Sequence, residues 1–363
     1  MSGGEISIIN YASLLDKKLF RPIFLFPGKG KASQRALKNG LEIGFMDMPI
    51  FSFRWPWKFL RSVINLRKIL RNDQIDIIHC TTFYSNLLAV AAAKLLRIPV
   101  ICHGQSYMTS GSRIRNMVSM ADLVIVCSED LKKSLLPSIK SSKIKVMHHA
   151  VTIPVLKKKT FFLHKKLNLP KKCALVGHIG LIEPRKMQED LIRAASLVKN
   201  TDVRFLIIGD SQFETKEYEN SLHRLAESYG VDKKVVFLGY RGDILKIMNE
   251  LDIIVLPSVK EPFALVMIEA MALAKPFIGA RSGGTTEFIR PGSNGFLIEP
   301  RDYHSLAETI DMLLTNSLKS INIGLEGRKS VKEKCDMADF VRILSKTYLN
   351  ILRKGSRNSF NDL

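Results

Sequence analysis

The chain has 363 residues, 46% of them apolar, which is enough for two domains with cores of their own. No stretch reaches the ~18 uninterrupted apolar residues that a membrane-spanning helix needs, and the longest candidate, 87–101, is broken by Lys94 and Arg97. Net charge is +21 and uneven: residues 1–165 carry 26 basic and 9 acidic side chains against 29 and 25 in residues 166–363, which directs the first half at something anionic.

Nucleic acid fits that charge poorly, because no recognition motif or basic–aromatic interleaving is present. An anionic membrane surface or a charged lipid-linked acceptor fits better. The five cysteines, Cys80, Cys102, Cys127, Cys173 and Cys335, are scattered and odd in number. They read as buried free thiols in a reducing cytosol, with no metal-ligand spacing. The first five residues are no signal peptide. The expected location is therefore cytoplasmic, either free or peripheral at the inner face of a membrane.

In chain order, Ser2-Gly3-Gly4-Glu5 reads as a glycine-rich loop opening a helix over 6–15, with no strand before it. Strand-like runs follow at 22–26, 42–48, 75–79, 99–103, 123–128 and 143–147. They alternate with helical stretches in the βαβ rhythm of a parallel sheet. Between them lie Trp55-Pro56-Trp57 and a helix over 58–71. Phe59, Val63, Leu66 and Leu70 share one of its faces, and Lys58, Arg61, Arg67, Lys68 and Arg71 fall off it. That pattern suits a core-packed domain helix. It also suits an interfacial anchor with Trp55 and Trp57 among lipid headgroups, and the two are compatible. His103 closes the strand at 99–102, at the end where open α/β sheets bind ligands, although a histidine there can equally cap a loop. His79 reads as structural. Apolar periodicity lapses over 150–172, which places the interdomain linker there.

The second domain restarts with a strand over 173–180 that enters a glycine turn at Gly180. Leu181, Arg185 and Lys186 follow, then a helix over 187–199 and strands over 203–209 and 235–238, with Tyr240 and Arg241 in the next turn. The apolar strand 252–258 leads to Glu261 and Pro262. Proline is tolerated in a first helical turn, so a helix is expected over 263–273 with Glu269 inside it. The two glutamates would stand roughly 12 Å apart along it. The free amides of its first turn suit an anion such as a diphosphate. The same spacing also fits a solvated Glu261 and a Glu269 bonded to local backbone. A short strand over 276–280, Gly283-Gly284-Thr285-Thr286-Glu287 and Asn294-Gly295-Phe296-Leu297 complete the segment.

Two glutamates eight apart, then "EAMA", "GGTxE" and "NGFL" in this order, resemble the donor-binding segment of the family 4 retaining glycosyltransferases. The resemblance extends more weakly over nearly the whole chain. It implies an α/β fold with two facing Rossmann-like domains. Residues 1–160, completed by a C-terminal helix at about 338–355, would form the acceptor-side domain. Residues 161–337 would form the nucleotide-sugar donor domain. It further implies sugar transfer from a nucleoside diphosphate sugar to a hydroxyl of a glycan or lipid-linked acceptor, by front-side displacement, with no cofactor and no metal. By the same resemblance Glu261, His103 and Lys186 are the catalytic candidates. Glu269 would bind ribose, and Ala264, Leu265, Val266 and Gly180 would lie along the diphosphate, with Arg185 a candidate substitute for the family's arginine. Tyr240 would lie beside the base.

Several positions depart from the family pattern. Leu181 stands where an arginine normally grips the diphosphate, a loss of charge-assisted hydrogen bonds. Ala264 and Ala274 replace usual glycines, and His148-His149-Ala150 replaces "NG". The first strand of the N-terminal domain is missing, so either the chain starts late or a neighbouring strand closes the gap. Leu181 and the missing strand favour a rival reading as a catalytically weak binding or scaffold subunit. A nucleotide-sugar epimerase on the same fold is a second rival.

Overall fold

The computed structural model describes residues 3–49, 56–108, 118–136, 138–211 and 215–360. The chain divides into two compact units, Met1–Ala150 with Met337–Leu363, and Val151–Asp336.

The first unit opens with α1 (Gly3–Ser13), β1 (Ile23–Phe26), α2 (Lys31–Lys38), β2 (Glu42–Phe45) and α3 (Pro56–Asn72). It continues with β3 (Ile78–Cys80), α4 (Phe83–Ala93), β4 (Val100–Gly104), β5 (Leu123–Val126), α5 (Glu129–Leu135) and β6 (Ile144–Val146). Side-chain caps start several helices: Thr82 accepts from the Ser85 amide before α4, and Ser128 from the Leu131 amide before α5.

The second unit holds α6 (Phe162–Lys166), β7 (Ala174–Ile179), α7 (Gln188–Leu197), β8 (Val203–Ile208), α8 (Lys216–Ser228), β9 (Val235–Gly239) and α9 (Ile244–Glu250). Then come β10 (Ile253–Leu256), α10 (Leu265–Ala272), β11 (Phe277–Ala280), α11 (Thr285–Phe288), β12 (Phe296–Ile298), α12 (Tyr303–Thr315) and α13 (Ser317–Lys334). The last helix, α14 (Met337–Phe360), belongs to the first unit.

In the second unit the parallel strands run β12-β11-β10-β7-β8-β9, with β7 in the middle between β8 and β10. This is the doubly wound order, and its first strand is central. The first unit is different. β1 pairs only with β2, and β3-β4-β5-β6 form a separate parallel sheet. No described strand lies between β1 and β3, where the counterpart of β7 belongs. The expected gap is therefore present, and no neighbouring strand closes it. All four residues of β1, and Ile78 and His79 of β3, are only half-buried. Helices hold the two-stranded piece instead of a ladder. Phe24 and Phe26 pack with Ile9 and Ala36, and Leu25 packs with Leu66 and Leu70 of α3.

The core of the first unit is closed by α14. Its Met337, Phe340, Val341, Leu344 and Tyr348 join Ile8 and Tyr11 of α1, Leu15 just past it, and Ile101 and Ile125 of the sheet. The Tyr11 ring stacks on Phe340 at 4.0 Å. All five cysteines are buried free thiols. No helix among the described residues is long and apolar enough to cross a membrane.

On α3 the expected apolar face packs inward, with Leu66 and Leu70 buried. The outward face also carries apolar side chains, which the sequence pattern did not separate. Trp57, Leu60 and Ile64 are 57, 59 and 46% exposed among exposed Lys58, Arg61, Lys68 and Arg71. Trp55 lies outside the described residues.

The stretch expected to be a linker is structured where it joins the second unit. Arg328 donates to the Pro154 carbonyl at 2.8 Å, Lys159 pairs with Asp252 at 2.5 Å, and the Thr160 amide reaches Glu250 at 2.7 Å. Residues from Val151 onward therefore belong to that unit.

Candidate active site

The carboxyl ends of β7, β8 and β9 are lined by glycines. The Gly180 amide donates to Ile208 O and the Gly209 amide to Gly239 O, each at 3.0 Å. A Cβ on Gly209 would lie 1.8 Å from Gly180 O, so only glycine lets these two turns meet. Tyr240, just past Gly239, is 53% exposed.

After Gly180 a turn of 3-10 helix, Pro184–Lys186, leads into α7. Its backbone is held from two sides. The Val259 amide donates to Arg185 O at 2.9 Å, and His178 Nε2 bonds Lys186 O at 3.0 Å. Burial in β7 pushes the His178 imidazole down to about 4. It is thus neutral, and Nε2–H is the donor to the carbonyl.

This support aims two cations at one carboxylate. Lys186 Nζ lies 2.6 Å from Glu261 Oε2, with both side chains nearly buried, and Arg185 Nη1 reaches the same oxygen at 3.3 Å. Arg185 also pairs with Glu183 at 2.7 Å. A carboxylate as buried as Glu261 requires such partners. The Lys186 stem passes Gly180, where a Cβ would be 3.8 Å from its Cε. The Glu261 loop is pinned by the glycine-rich segment after β11. The Gly284 amide donates to Glu261 O at 3.1 Å, and the Lys260 amide to Ser282 Oγ at 2.7 Å.

The helix expected over 263–273 begins two residues later, at Leu265, with Ala264 as its N-cap. Pro262 therefore stands in the loop and not in the first turn, and Glu261 lies off the helix axis. Ala264 has φ −76°, so alanine is unstrained there. The Met267 amide turns to Ala264 O, and the amides of Leu265 and Val266 have no intrahelical acceptor. Most of α10 is buried, and Leu265, Val266 and Glu269 form its half-exposed stripe. Glu269 stands one turn, about 6 Å, from the open amides. Ala274, just past the helix, has φ 55°.

Together, Gly180, Arg185, Lys186, Glu261, Ala264, Leu265, Val266 and Glu269 surround the carboxyl ends of β7 and β10. Leu181 is 37% exposed beside them. His103 is in the first unit, at the end of β4 and 1% exposed. Its Nδ1 lies 3.1 Å from His79 Nε2. Burial, with His79 and His149 nearby, holds its imidazole well below the usual histidine range. Sequence reasoning missed His178, Ser282 and Gly284 as supports. A histidine inside the apolar run of β7 was the available signal, since a buried ring nitrogen requires a partner.

The family description "Glycosyltransferase Family 4" matches residues 1–153, and "Glycosyl transferases group 1" matches residues 159–330. The chain belongs to the family 4 glycosyltransferases. Among its relatives in this family is the N-acetyl-alpha-D-glucosaminyl L-malate synthase of Bacillus anthracis, 26% identical over 316 residues, or 83% of this chain and 81% of that one. The capsular polysaccharide biosynthesis glycosyltransferase CapM of Staphylococcus aureus is 25% identical over 299 residues, 76% of this chain and 77% of that one. In fold, this glycosyltransferase is similar to HepE of Anabaena, solved in complex with UDP-glucose. The TM-score is 0.86, with 22% identity and 96% of each chain covered. It thus has the two Rossmann-like domains of the GT-B type.

Proposed function

We propose that this glycosyltransferase is a retaining enzyme that moves a sugar from a nucleoside diphosphate sugar to an acceptor hydroxyl without a divalent metal. The observation that carries the reading is the Lys186–Glu261 pair at 2.6 Å beside the open amides of α10. The pair sets a cation and a sugar-binding carboxylate at the strand ends where this sheet type binds ligands. The complexes of HepE with UDP and UDP-glucose support a nucleotide-sugar donor.

In this reading Lys186, Arg185 and the amides of Ala264, Leu265 and Val266 hold the diphosphate along the Gly180 turn. Negative charge grows there as the bond to the sugar breaks, so these donors favour the transition state over the ground state. Glu261 bonds sugar hydroxyls, Glu269 the ribose and His103 a further sugar hydroxyl, while the Tyr240 turn borders the base. The cationic side chains take the place of a metal. The acceptor is a glycan or lipid-linked saccharide. The enzyme works at the cytoplasmic face of an anionic membrane, which the charge of residues 1–165 and the outward face of α3 support.

Calorimetric titration with UDP, GDP and ADP, with and without magnesium, tests the donor site. One nucleotide is expected to bind without metal. Glu269→Ala should weaken it by roughly 10- to 100-fold, the worth of a charged hydrogen bond. A folded protein that binds none of them would instead be a binding or scaffold subunit, the reading that Leu181 favours. Binding only with magnesium would remove the metal-free mechanism.

A further inference from the structure

His79 and Tyr348 take no part in the proposed donor site, yet both join His103 in one hydrogen-bonded chain. Tyr348 Oη lies 2.6 Å from His79 Nδ1, and His79 Nε2 lies 3.1 Å from His103 Nδ1. The topology builds this chain from three elements. His79 pairs with Ile101 in the β3–β4 register. His103 is two residues further along β4, so both rings project from the same face of the sheet. α14 crosses that face and sets the Tyr348 ring edge-on to His79, with centroids 5.8 Å apart.

We propose that Tyr348 and His79 are positioning residues that fix the tautomer of His103, leaving its proton on Nε2 as a hydrogen-bond donor. The polarity follows from counting protons. A neutral imidazole has one donor and one acceptor nitrogen. If His103 donated from Nδ1, His79 would accept at Nε2 and donate from Nδ1 to the phenol oxygen. The buried phenol proton would then need another acceptor, and His79 is the hydrogen-bond partner of Tyr348 among the described residues. The opposite polarity satisfies both contacts and the phenol proton: Tyr348 Oη–H donates to His79 Nδ1, and His79 Nε2–H donates to His103 Nδ1. His103 then carries its proton on Nε2, which is buried and has no partner among the described residues.

Burial keeps all three groups neutral. It pushes the Tyr348 phenol up, lowers His79 to about 4 and holds His103 well below its ordinary value. His103 therefore offers an N–H to an oxygen acceptor and has no lone pair at Nε2 with which to act as a base. The ligand class is a hydroxyl or phosphoryl oxygen. Its assignment to the donor sugar rests on the function proposed above, whereas the tautomer does not.

Protein labelled with 15N-histidine reports the tautomer through two-bond couplings from the ring protons, and His103→Ala assigns the signal. His103 is expected with a bare Nδ1 and a protonated Nε2. Tyr348→Phe keeps the ring and removes the proton donor. It should turn His103 into a mixture of tautomers and weaken UDP-glucose binding by the share of the Nε2–H form that is lost, about twofold for an even mixture. A wild-type His103 protonated on Nδ1 overturns the proposal without any need for Tyr348→Phe to fold. So does a tautomer that is unchanged in folded Tyr348→Phe. If His103→Ala leaves UDP-glucose affinity intact while the tautomer still follows Tyr348, the chain of hydrogen bonds stands and only the placement of His103 at the donor sugar fails.

Discussion

Ala274 stands in the left-handed region at φ 55°, where the family usually has glycine, and an L-residue there costs about 1–2 kcal/mol. Its carbonyl is also closely approached: a Cβ on Gly324 of α13 would lie 2.1 Å from it, so the turn has no room to relax on that side. Replacing Ala274 by glycine relieves the strain, less what glycine's freer unfolded chain costs. Ala274→Gly should therefore raise stability by about 1 kcal/mol, read as a higher denaturant midpoint at unchanged slope. A midpoint that stays or falls would mean the turn is not strained. At this scale the sequence was legible where chemistry leaves a type-specific mark. Glu261 and Glu269 were singled out because charges beside apolar runs require a reason, and Lys186 by the resemblance to the family 4 segment. The supports of Glu261 and His103 were not found, because Gly284 and Ser282 act on backbone positions and Tyr348 through a partner far along the chain.

Among the elements, most strands were legible because buried parallel strands are apolar and short, although β2 ends three residues earlier and β3 begins three residues later than expected. The start of α10 was not. Pro262 suits a first turn, but the chain spends Glu261, Pro262 and Phe263 on the loop that Gly284 and Ser282 pin. The opening between β1 and β3 among the described residues matches the expectation of a missing first strand. The outward face of α3 was legible only as charge. In the structure it joins an apolar stripe, Trp57, Leu60 and Ile64, to Arg61, Lys68 and Arg71, with no acidic residue on the helix. Such a face suits an anionic bilayer, where each basic side chain near the surface contributes about 1 kcal/mol. The protein should sediment with vesicles containing anionic lipid at low salt. It should release them at high salt and in the variant carrying Trp57→Ser, Leu60→Ser and Ile64→Ser, with circular dichroism showing that the variant is folded. Equal binding to neutral vesicles, or tighter binding to an oligonucleotide than to lipid, would sink the assignment.

Across the molecule, acid is the expected weakness. Burial lowers His79 and His178 from 6.5 to about 4 and His103 in the same direction. Below pH 6.5 the unfolded chain binds these protons and the folded chain does not. Their stability is therefore fully present above pH 6.5 and is lost as pH falls toward 4, at about 1.4 kcal/mol per pH unit for each group. Asp190, pushed up to about 6 mainly by burial, works the other way. Its stability is present below pH 3.8 and lost as pH rises through 6. It opposes His178 within the second unit, while His79 and His103 are both in the first. Calorimetry from pH 7 to pH 4 should show melting fall, with a first-unit transition separating to lower temperature. A melting temperature that is flat across this window would mean these imidazoles are solvated.

The return of α14 to the first unit also sets an order of events on the ribosome. Ile8, Tyr11, Leu15 and Ile101 are made early, but the side chains that cover them, from Met337 to Tyr348, are made only after the whole second unit. At about 5–20 residues per second that interval is on the order of ten to forty seconds. During it the second unit can fold from a continuous stretch of nascent chain. The first unit waits with its apolar floor open, and Tyr348, the head of the hydrogen-bond chain to His103, is among the last ordered residues to arrive.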